Sequence, residues 1–165
     1  MLSSRKLFIV DPFNEEHQKL LNDFDNYLGI VTPSSSFVDR IKSVYTKEEY
    51  LYYKKNSNEV GESLIYMENN QVIDTCHLEI EKDIKACSLS FAPIDKPLRR
   101  KKFIELVTNY ALEEKKLVEV FVKVEKEDKL TANLAKLGYE DLGKENGITI
   151  FLKEKAEDEV LRKAL

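Results

Sequence analysis

The hydrophobic pattern changes period twice between Lys101 and Tyr139, and this change constrains the fold more than any other feature of the chain. Apolar residues first recur at helical spacing, in the segment that contains Val107. They then alternate over residues 118–124, as on a strand, before a second helical segment that closes near Tyr139. Helical and strand periods in this order predict helices packed against a sheet.

Four consecutive cations stand at the start of the first of these helices: Arg99, Arg100, Lys101 and Lys102. Cations are unfavourable at a helix N-terminus, because the helix dipole is positive there. An anion bound by the free amides of residues 101–104 and paired with an arginine would relieve this misfit. The alternative interpretation is that the run is only a solvated helix start.

The segment from Gly61 to Phe91 has the two-residue period of strands. Residues 63–68, 71–81 and 85–91 predict an antiparallel meander with turns at Asn69-Asn70 and near Asp83. Centring the second turn between Asp83 and Ile84 gives the strands one apolar and one polar face. The apolar face comprises Cys76, Leu78, Ile80, Cys87, Leu89 and Phe91, and the polar face comprises Thr75, His77, Glu79, Ser88 and Ser90.

His77 and Glu79 are the candidate catalytic residues on the polar face. Side chains two residues apart on a strand point the same way, so the two groups would be neighbours. A general base needs a pKa near neutral in a partly dry cleft, and the ordinary pKa of histidine, about 6.5, favours His77 over Glu79. The alternative is that this face is simply the solvent-exposed side of an antiparallel sheet.

The N-terminal third predicts a strand followed by helices. Residues 6–10 form the strand, and Asn14 then caps a helix that continues to Leu28 and ends at Gly29. A second helix turns three apolar side chains inward, namely Phe37, Ile41 and Val44. Thr46 and Glu49 have the spacing of a capping box, which predicts a further helical turn.

Length and composition predict one globular domain with no nucleic-acid partner. The chain has 165 residues and a net charge of −4, whereas phosphate neutralisation needs a basic surface. No apolar stretch approaches the roughly 20 residues of a membrane span, and the first residues lack the apolar region of a signal peptide, so we expect a cytoplasmic protein without membrane contact. Cys76 and Cys87 lack metal-type spacing, so no metal site is expected.

The order of elements from Gly61 to Lys153 resembles the C-terminal half of the GNAT superfamily of acyl-CoA-dependent N-acyltransferases. In that family a strand leads into R/Q-x-x-G-x-G/A, and a helix follows. Arg99 matches the basic start of this motif, whereas Lys102 and Ile104 stand at its glycine positions. A second family motif ends in Gly-Phe, matched here by Gly138-Tyr139, and Leu134 stands at the position of its thiolate-protonating tyrosine.

The resemblance implies an α/β (α+β) GNAT-like fold of order β-α-α-β-β-β-α-β-α-β-β, with a mixed, mostly antiparallel sheet flanked by helices. Residues 1–153 would form the single domain and residues 154–165 a charged helical tail, whose thin apolar stripe can pack on a second subunit in a possible homodimer. The cofactor would be acetyl-CoA. Its expected contacts are Phe91, Arg99, Arg100, Lys101, Lys102, Phe103, Ile104 and Asn133.

The function implied is acyl transfer, most simply of acetyl, from acyl-CoA to an amine of a small molecule or a protein. His77 or Glu79 would take the proton of the amine, and backbone amides at the end of the strand at Phe91 would hold the pantetheine arm. The alternative is a non-catalytic GNAT-like module that binds a ligand or a partner. The replaced glycines and tyrosine favour the module, whereas Arg99 and the polar face favour the enzyme.

Overall fold

A computed structural model describes residues 5–29, 36–56, 61–94, 99–124 and 129–156. The chain divides into two compact units: Met1–Glu79 with Ser90–Arg99, and Ile80–Leu89 with Arg100–Leu165. The strands in the described residues are β1 (Arg5–Ile9), β2 (Glu62–Glu68), β3 (Gln71–Glu81), β4 (Ala86–Phe91), β5 (Glu119–Val124), β6 (Glu140–Glu145) and β7 (Ile148–Glu154). The α-helices are α1 (Glu15–Leu28), α2 (Ser36–Val44), α3 (Lys47–Asn56), α4 (Arg100–Asn109) and α5 (Lys129–Lys136).

The strands form one sheet in the order β1-β2-β3-β4-β5-β7-β6. Strands β4 and β5 pair in parallel, whereas β1–β2, β2–β3, β5–β7 and β6–β7 pair antiparallel. The predicted fold class, with its mixed and mostly antiparallel sheet, is therefore confirmed. The predicted element order is wrong at one place, because three helices rather than two separate β1 from β2.

The first unit begins with a strand and three helices whose ends follow the predicted signals. The Asn14 side chain accepts hydrogen bonds from the amides of Glu16 and His17, and Gly29 ends α1 with φ +69°. The third helix is the one that the capping box begins: Thr46 Oγ1 accepts from Glu49 N, and Glu49 Oε1 accepts from Thr46 N.

The core of this unit lies between the three helices and β2. Its buried members are Val10, Leu21, Phe37, Val38, Ile41, Tyr50 and Ile65. Val44, predicted to face inward, is 67% exposed, and Val38 is buried in its place. The reason is that α2 ends at Val44, so the last turn lies at the margin of the packed face.

The meander is formed as predicted from its turns. Asn69 and Asn70 both have positive φ (52° and 66°), as a tight hairpin turn requires. After β3 the chain makes a 3-10 turn over Lys82–Ile84, and Lys85 has φ 52°. Ala92 N donates to Thr75 O at 3.1 Å, the same offset as the predicted pairing of Cys76 with Phe91.

In the second unit, α4 begins at Arg100, the second of the four consecutive cations. It continues as a π-helical turn over Tyr110–Glu114, in which Lys115 N donates to Tyr110 O at 3.0 Å. The parallel ladder of β4 with β5 runs from Ala86–Glu119 to Leu89–Val122, and β4 itself continues to Phe91.

The C-terminal hairpin is tighter than the sequence predicted. The glycines and the asparagine of residues 143–147 predict a turn over this whole segment, but β6 extends to Glu145 and the turn is only Asn146-Gly147, both with positive φ. Gly143 (φ +112°) instead lies in an irregularity of β6 between Asp141 and Lys144. Asn-Gly is the stronger hairpin signal, and it overrides the earlier glycine.

The charged tail is described only to Ala156, so the predicted helix over residues 154–165 falls largely outside the described residues. Glu154, the first residue of the predicted tail, is instead the last residue of β7. Cys76 and Cys87 form no disulfide, and both are buried. None of the helices in the described ranges is long and apolar enough to cross a membrane.

Candidate active site

The two candidate catalytic residues lie side by side on β3. His77 Nε2 and Glu79 Oε1 are 3.1 Å apart. Alternation along the strand places both on one face, and their long side chains close the gap between their Cα atoms. The structure therefore brings together the histidine and the carboxylate that the sequence selected.

A serine on the neighbouring strand holds the other nitrogen of the imidazole. Ser63 of β2 pairs directly with His77 in the antiparallel register, and its Oγ lies 3.1 Å from Nδ1. Because the Glu79 carboxylate only accepts hydrogen bonds, we assign the ring proton to Nε2. Nδ1 then accepts from the Ser63 hydroxyl, and the imidazole is fixed at both ends.

Helix α2 covers this pair with an aromatic ring and a guanidinium. The rings of Phe37 and His77 are 5.0 Å apart with a tilt of 56°. Arg40 Nη2 lies 3.5 Å from Glu79 Oε1 and 3.5 Å from His77 Nε2. Since carboxylate oxygens accept and Nε2 carries its proton toward Glu79, the contact with Glu79 is the one that stabilises the arrangement.

Burial divides the site into a dry and a wet half. The His77 side chain is 17% exposed, whereas those of Glu79 and Arg40 are 57% and 62% exposed. Ser63 and Thr75 are almost fully buried on the same two strands. The alternative of a merely solvent-exposed sheet face is therefore wrong around His77, since α2 excludes water there.

The buried position of His77 determines its protonation. Desolvation lowers the pKa of His77 below the ordinary 6.5; the adjacent Glu79 opposes this shift, and Arg40 adds to it. The imidazole is consequently neutral at physiological pH. A neutral ring can orient a carboxylate and can also take up a proton during a reaction.

Gly61 allows the backbone to approach the site closely. A Cβ atom there would lie 2.8 Å from the carbonyl oxygen of Leu78 and 3.7 Å from Cε1 of His77. Gly61 thus lets the chain enter β2 directly against β3 beside the imidazole.

The sequence patterns did not predict that four further residues belong to this site, namely Phe37, Arg40, Gly61 and Ser63. A usable signal existed for one pair, because Phe37 and Arg40 are three residues apart and so share a helix face. The pairing of Ser63 with His77 depends on the register between β2 and β3. The turn at Asn69-Asn70 would predict it only if the irregularity between Tyr66 and Met67 were known.

The second candidate region is the start of α4, where the cationic run separates into different environments. Arg100 is buried, Lys101 and Lys102 are exposed, and Phe103 and Ile104 are completely buried. Lys102 Nζ lies 3.4 Å from Glu105 of the same helix. Of the side chains at residues 100–104, those of the two lysines are the exposed ones.

Arg99, just before α4, is held by an acidic partner. Its Nη2 lies 3.6 Å from Glu68 Oε1, and the same oxygen is 3.2 Å from Arg5 Nε. The Arg99 side chain remains 43% exposed. It can therefore contact an anion, although Glu68 competes for its charge.

The helix start nevertheless has donors that suit a phosphate group. Its first turn contains no acidic residue, so no carboxylate within that turn neutralises the positive end of the dipole. The aligned glycine positions, Lys102 and Ile104, lie in the first turns of the helix rather than in a loop before it. The residues that precede Arg99, 95–98, lie outside the described ranges.

The remaining predicted cofactor contacts lie on β4 and α5. Phe91 ends β4 with a half-buried side chain, and Asn133 is half-buried on α5, where its carbonyl accepts from Leu137 N. Leu134, at the family's tyrosine position, is fully buried. Tyr139 is bonded through its hydroxyl to Thr108 Oγ1 at 2.6 Å in the interior.

No protein-family model and no curated protein matches the sequence. Solved structures do match. The ribosomal-protein-S5-alanine acetyltransferase from Vibrio fischeri superimposes with a TM-score of 0.66 at 11% identity, over 95% of this chain and 98% of that one. This chain has the GNAT fold.

Two further GNAT-fold structures agree over nearly their whole length. The N-acetyltransferase PseH from Campylobacter jejuni, in complex with acetyl coenzyme A, gives a TM-score of 0.61 at 12% identity and covers 93% of this chain and 100% of its own. A dodecameric spermidine N-acetyltransferase from Vibrio cholerae gives 0.63 at 14% identity over 98% of both chains. At these identities the likeness shows the fold.

Proposed function

We propose that the protein transfers an acetyl group from acetyl-CoA to an amine. The observation that carries this proposal is the half-exposed Glu79 carboxylate held against a neutral, buried imidazole on a strand of a GNAT fold. The structural neighbours include a PseH complex with acetyl coenzyme A, a spermidine N-acetyltransferase and a ribosomal-protein alanine acetyltransferase. Their shared chemistry supports an amine acceptor here.

In the proposed reaction the amine nitrogen attacks the thioester carbonyl, so a C–N bond forms and the C–S bond breaks. A nitrogen that binds as a primary ammonium group loses two protons in all, one before it attacks and one as the C–N bond forms, and the sulfur leaves as the thiolate of CoA, which takes a proton from solvent. Leu134 cannot supply that proton, because it has no ionisable group. The essential contribution of the protein is then to accept the amine proton and to orient the nucleophile.

Glu79 is the group that meets the amine, and His77 positions it. The Glu79 carboxylate is more than half exposed, whereas the free lone pair of His77 is already used by Ser63. The hydrogen bond from Nε2 fixes one carboxylate oxygen and leaves the other open to an ammonium group. This assignment reverses the preference for His77 that its ordinary pKa suggested.

Acetyl-CoA would bind through its phosphates and its pantetheine arm. The exposed donors for a diphosphate are the first-turn amides of α4, Lys101 and Lys102, together with Arg99 once it leaves Glu68. The amides at the end of β4, up to Phe91, are the proposed partners of the pantetheine arm, since β4 extends beyond its ladder with β5. Phe103 and Ile104 contribute through their backbone only, because their side chains are buried.

We place the protein in the cytoplasm and allow for a homodimer that packs through the tail. Two free, buried thiols suit a reducing compartment. A subunit arrangement is supported by the dodecameric spermidine N-acetyltransferase among the neighbours. Light scattering on the full chain and on a chain ending at residue 153 would show whether an assembly exists and depends on the tail.

A non-catalytic GNAT-like module is the second candidate function. The buried Leu134 and the pairing of Arg99 with Glu68 favour it, because both remove groups that cofactor turnover would use. In that case the site on β3 would bind a ligand or partner without chemistry.

Two measurements on the same protein separate these functions. Calorimetry with acetyl-CoA at low salt reports saturable binding, and thiol release with a panel of amines reports transfer. The enzyme predicts both, with release that depends on the added amine. Absence of saturable binding and of release would contradict acyl transfer and leave the module.

A further inference from the structure

The exposed part of the site on β3 carries one positive and one negative group at a fixed separation. Arg40 Nη2 lies 3.5 Å from Glu79 Oε1, and both side chains are more than half exposed. Each therefore keeps donors or acceptors that the pair itself does not use, since a guanidinium has five N–H donors and a carboxylate about four acceptor positions.

The balance of charge around Glu79 disfavours a polycation. Desolvation keeps His77 neutral, so Arg40, His77 and Glu79 together have no net charge at physiological pH. A polyamine gains from one carboxylate but is repelled by the guanidinium beside it. A group that carries both charges meets an attractive partner at each end.

Taking the proposed acyl transfer as its basis, we propose that the acceptor is an amine with a carboxylate on the adjacent carbon, as in a free α-amino acid. Its ammonium group lies against Glu79 and its carboxylate against Arg40, so the two dipoles are antiparallel. Arg40 is then the residue that determines substrate specificity. Glu79 takes from the ammonium group the proton that must leave before the nitrogen can attack, and the second proton, lost as the C–N bond forms, passes to solvent.

The surroundings fit a short, rigidly placed acceptor. The rings of Phe37 and His77 are 5.0 Å apart, and a Cβ atom at Gly61 would lie 3.7 Å from the same imidazole. These groups cover the buried side of the site. The acceptor therefore approaches from the side on which the Arg40 guanidinium and the Glu79 carboxylate are exposed. The amino acid's own side chain then extends toward solvent.

Binding to the amine site can be observed without turnover, because the chain has only two histidines. We would follow the imidazole proton signals of His77 and His17 by NMR, assigned with His77→Gln, while adding α-amino acids and the amines obtained by removing their carboxylate. Amino acids should shift the His77 signal and leave that of His17 in place. The matched amines should bind roughly tenfold more weakly or worse, because each lacks one charge-assisted contact.

Variants of Arg40 test the residue that the inference rests on. Arg40→Gln should raise the KM for amino acids about tenfold with a smaller change in kcat, and Arg40→Lys should restore part of the loss. Arg40→Glu should reverse the preference toward amines without a carboxylate. Lys42→Gln, an exposed change on the same helix, is the control and should alter nothing.

Two results would overturn this inference while leaving acyl transfer intact. In the first, decarboxylated amines or spermidine bind and react as well as amino acids do. In the second, the Arg40→Gln protein keeps the wild-type selectivity for amino acids. Failure of the proposed transfer has a different signature, namely no thiol release with any amine and no acetyl-CoA binding. The NMR comparison of matched pairs decides the amino-acid preference in that case too.

Discussion

The site on β3 and the start of α4 were both predicted from short runs of polar residues, but only the run on β3 forms one cluster of side chains in the structure. His77 and Glu79 are in direct contact and are joined by Ser63 and Arg40. The cationic run spreads over a buried arginine, exposed lysines and a contact of Arg99 with Glu68. One run became a cluster of side chains and the other did not.

The difference follows from the geometry of the two backbones. Residues two apart on a strand share a face, so alternate polar positions converge. Consecutive residues at a helix start point in different directions, about 100° apart for each step. The proposed anion site at the start of α4 therefore depends on the backbone amides and the helix dipole rather than on joined cationic side chains.

Among the variants that test the difference between the site on β3 and the start of α4, the one that removes the imidazole should show the largest change. We expect His77→Ala to lower kcat on the order of 100-fold, the lower end for acid–base groups, because Glu79 loses the hydrogen bond that fixes it. Acetyl-CoA affinity by calorimetry should stay within about twofold, since that binding uses α4.

Ser63→Ala is the companion change, and it should lower kcat less than His77→Ala because Nε2 still reaches Glu79. Equal activity of His77→Ala and wild type would show that the contact between His77 and Glu79 is only structural. The site on β3 would then have no more functional support than the cationic run at α4.

The second change weakens the cofactor region by one exposed cation. Arg99→Ala should weaken acetyl-CoA binding about tenfold and reduce its salt dependence, because a charge-assisted contact is lost. Arg100 is less suitable than the sequence suggested, since it is buried and its loss would disturb packing. Lys144→Ala, an exposed lysine on β6, is the control. Unchanged affinity in Arg99→Ala would restrict the anion site to backbone amides.

A third, smaller effect should come from releasing Arg99. Glu68→Gln removes its competing carboxylate, from a pair in which Arg99 is 43% and Glu68 14% exposed. Acetyl-CoA should therefore bind more tightly by about 1.4- to 5-fold, taking the ~0.2–1 kcal/mol of a surface ion pair. Calorimetry at two salt concentrations measures this. Weaker binding would mean that Glu68 holds Arg99 in the binding position instead of competing for it.

The smallest effect concerns stability and pH. The pKa of His77 is lowered in the folded protein, so the unfolded chain binds a proton more readily as pH falls below the ordinary 6.5. The stability contributed by the neutral ring is full above pH 6.5 and is lost as pH falls toward the folded pKa. Melting temperatures between about pH 7.5 and pH 5 should therefore drop more for wild type than for His77→Gln.

Gln71→Ala, which changes an exposed, non-ionisable side chain at the start of β3, is the control for the pH series and should keep the wild-type pH slope. A His77→Gln protein whose melting temperature changes with pH as that of wild type does would show that burial does not disfavour the charged ring. It would contradict the conclusion that water is excluded around His77.

Much of the fold was predictable because its signals are local. Asn14 and Gly29 determine the ends of α1, Asn69-Asn70 determines the first hairpin, and Thr46 with Glu49 begins α3. The errors occurred where a distant contact or a competing turn decided the outcome. Val44 lies beyond the packed part of α2, and Asn146-Gly147 shortens the last turn.

The site was predictable only along one strand. The spacing of His77 and Glu79 placed them together, but Ser63 and Arg40 join them from a neighbouring strand and from a helix 37 residues earlier. Such partners depend on register and packing, which one sequence does not encode locally. The same applies to Glu68, which meets Arg99 across 31 positions of sequence (99 − 68).

The most direct test of the central claim is a comparison of binding and transfer in Glu79→Gln. The account predicts that this protein binds acetyl-CoA and melts like wild type, because the side chain is 57% exposed, but transfers acetyl about 10²- to 10⁴-fold more slowly. Glu81→Gln, an exposed change two residues further on the same strand, should keep wild-type activity. Wild-type transfer rates in Glu79→Gln at saturating acetyl-CoA and amine would contradict the account.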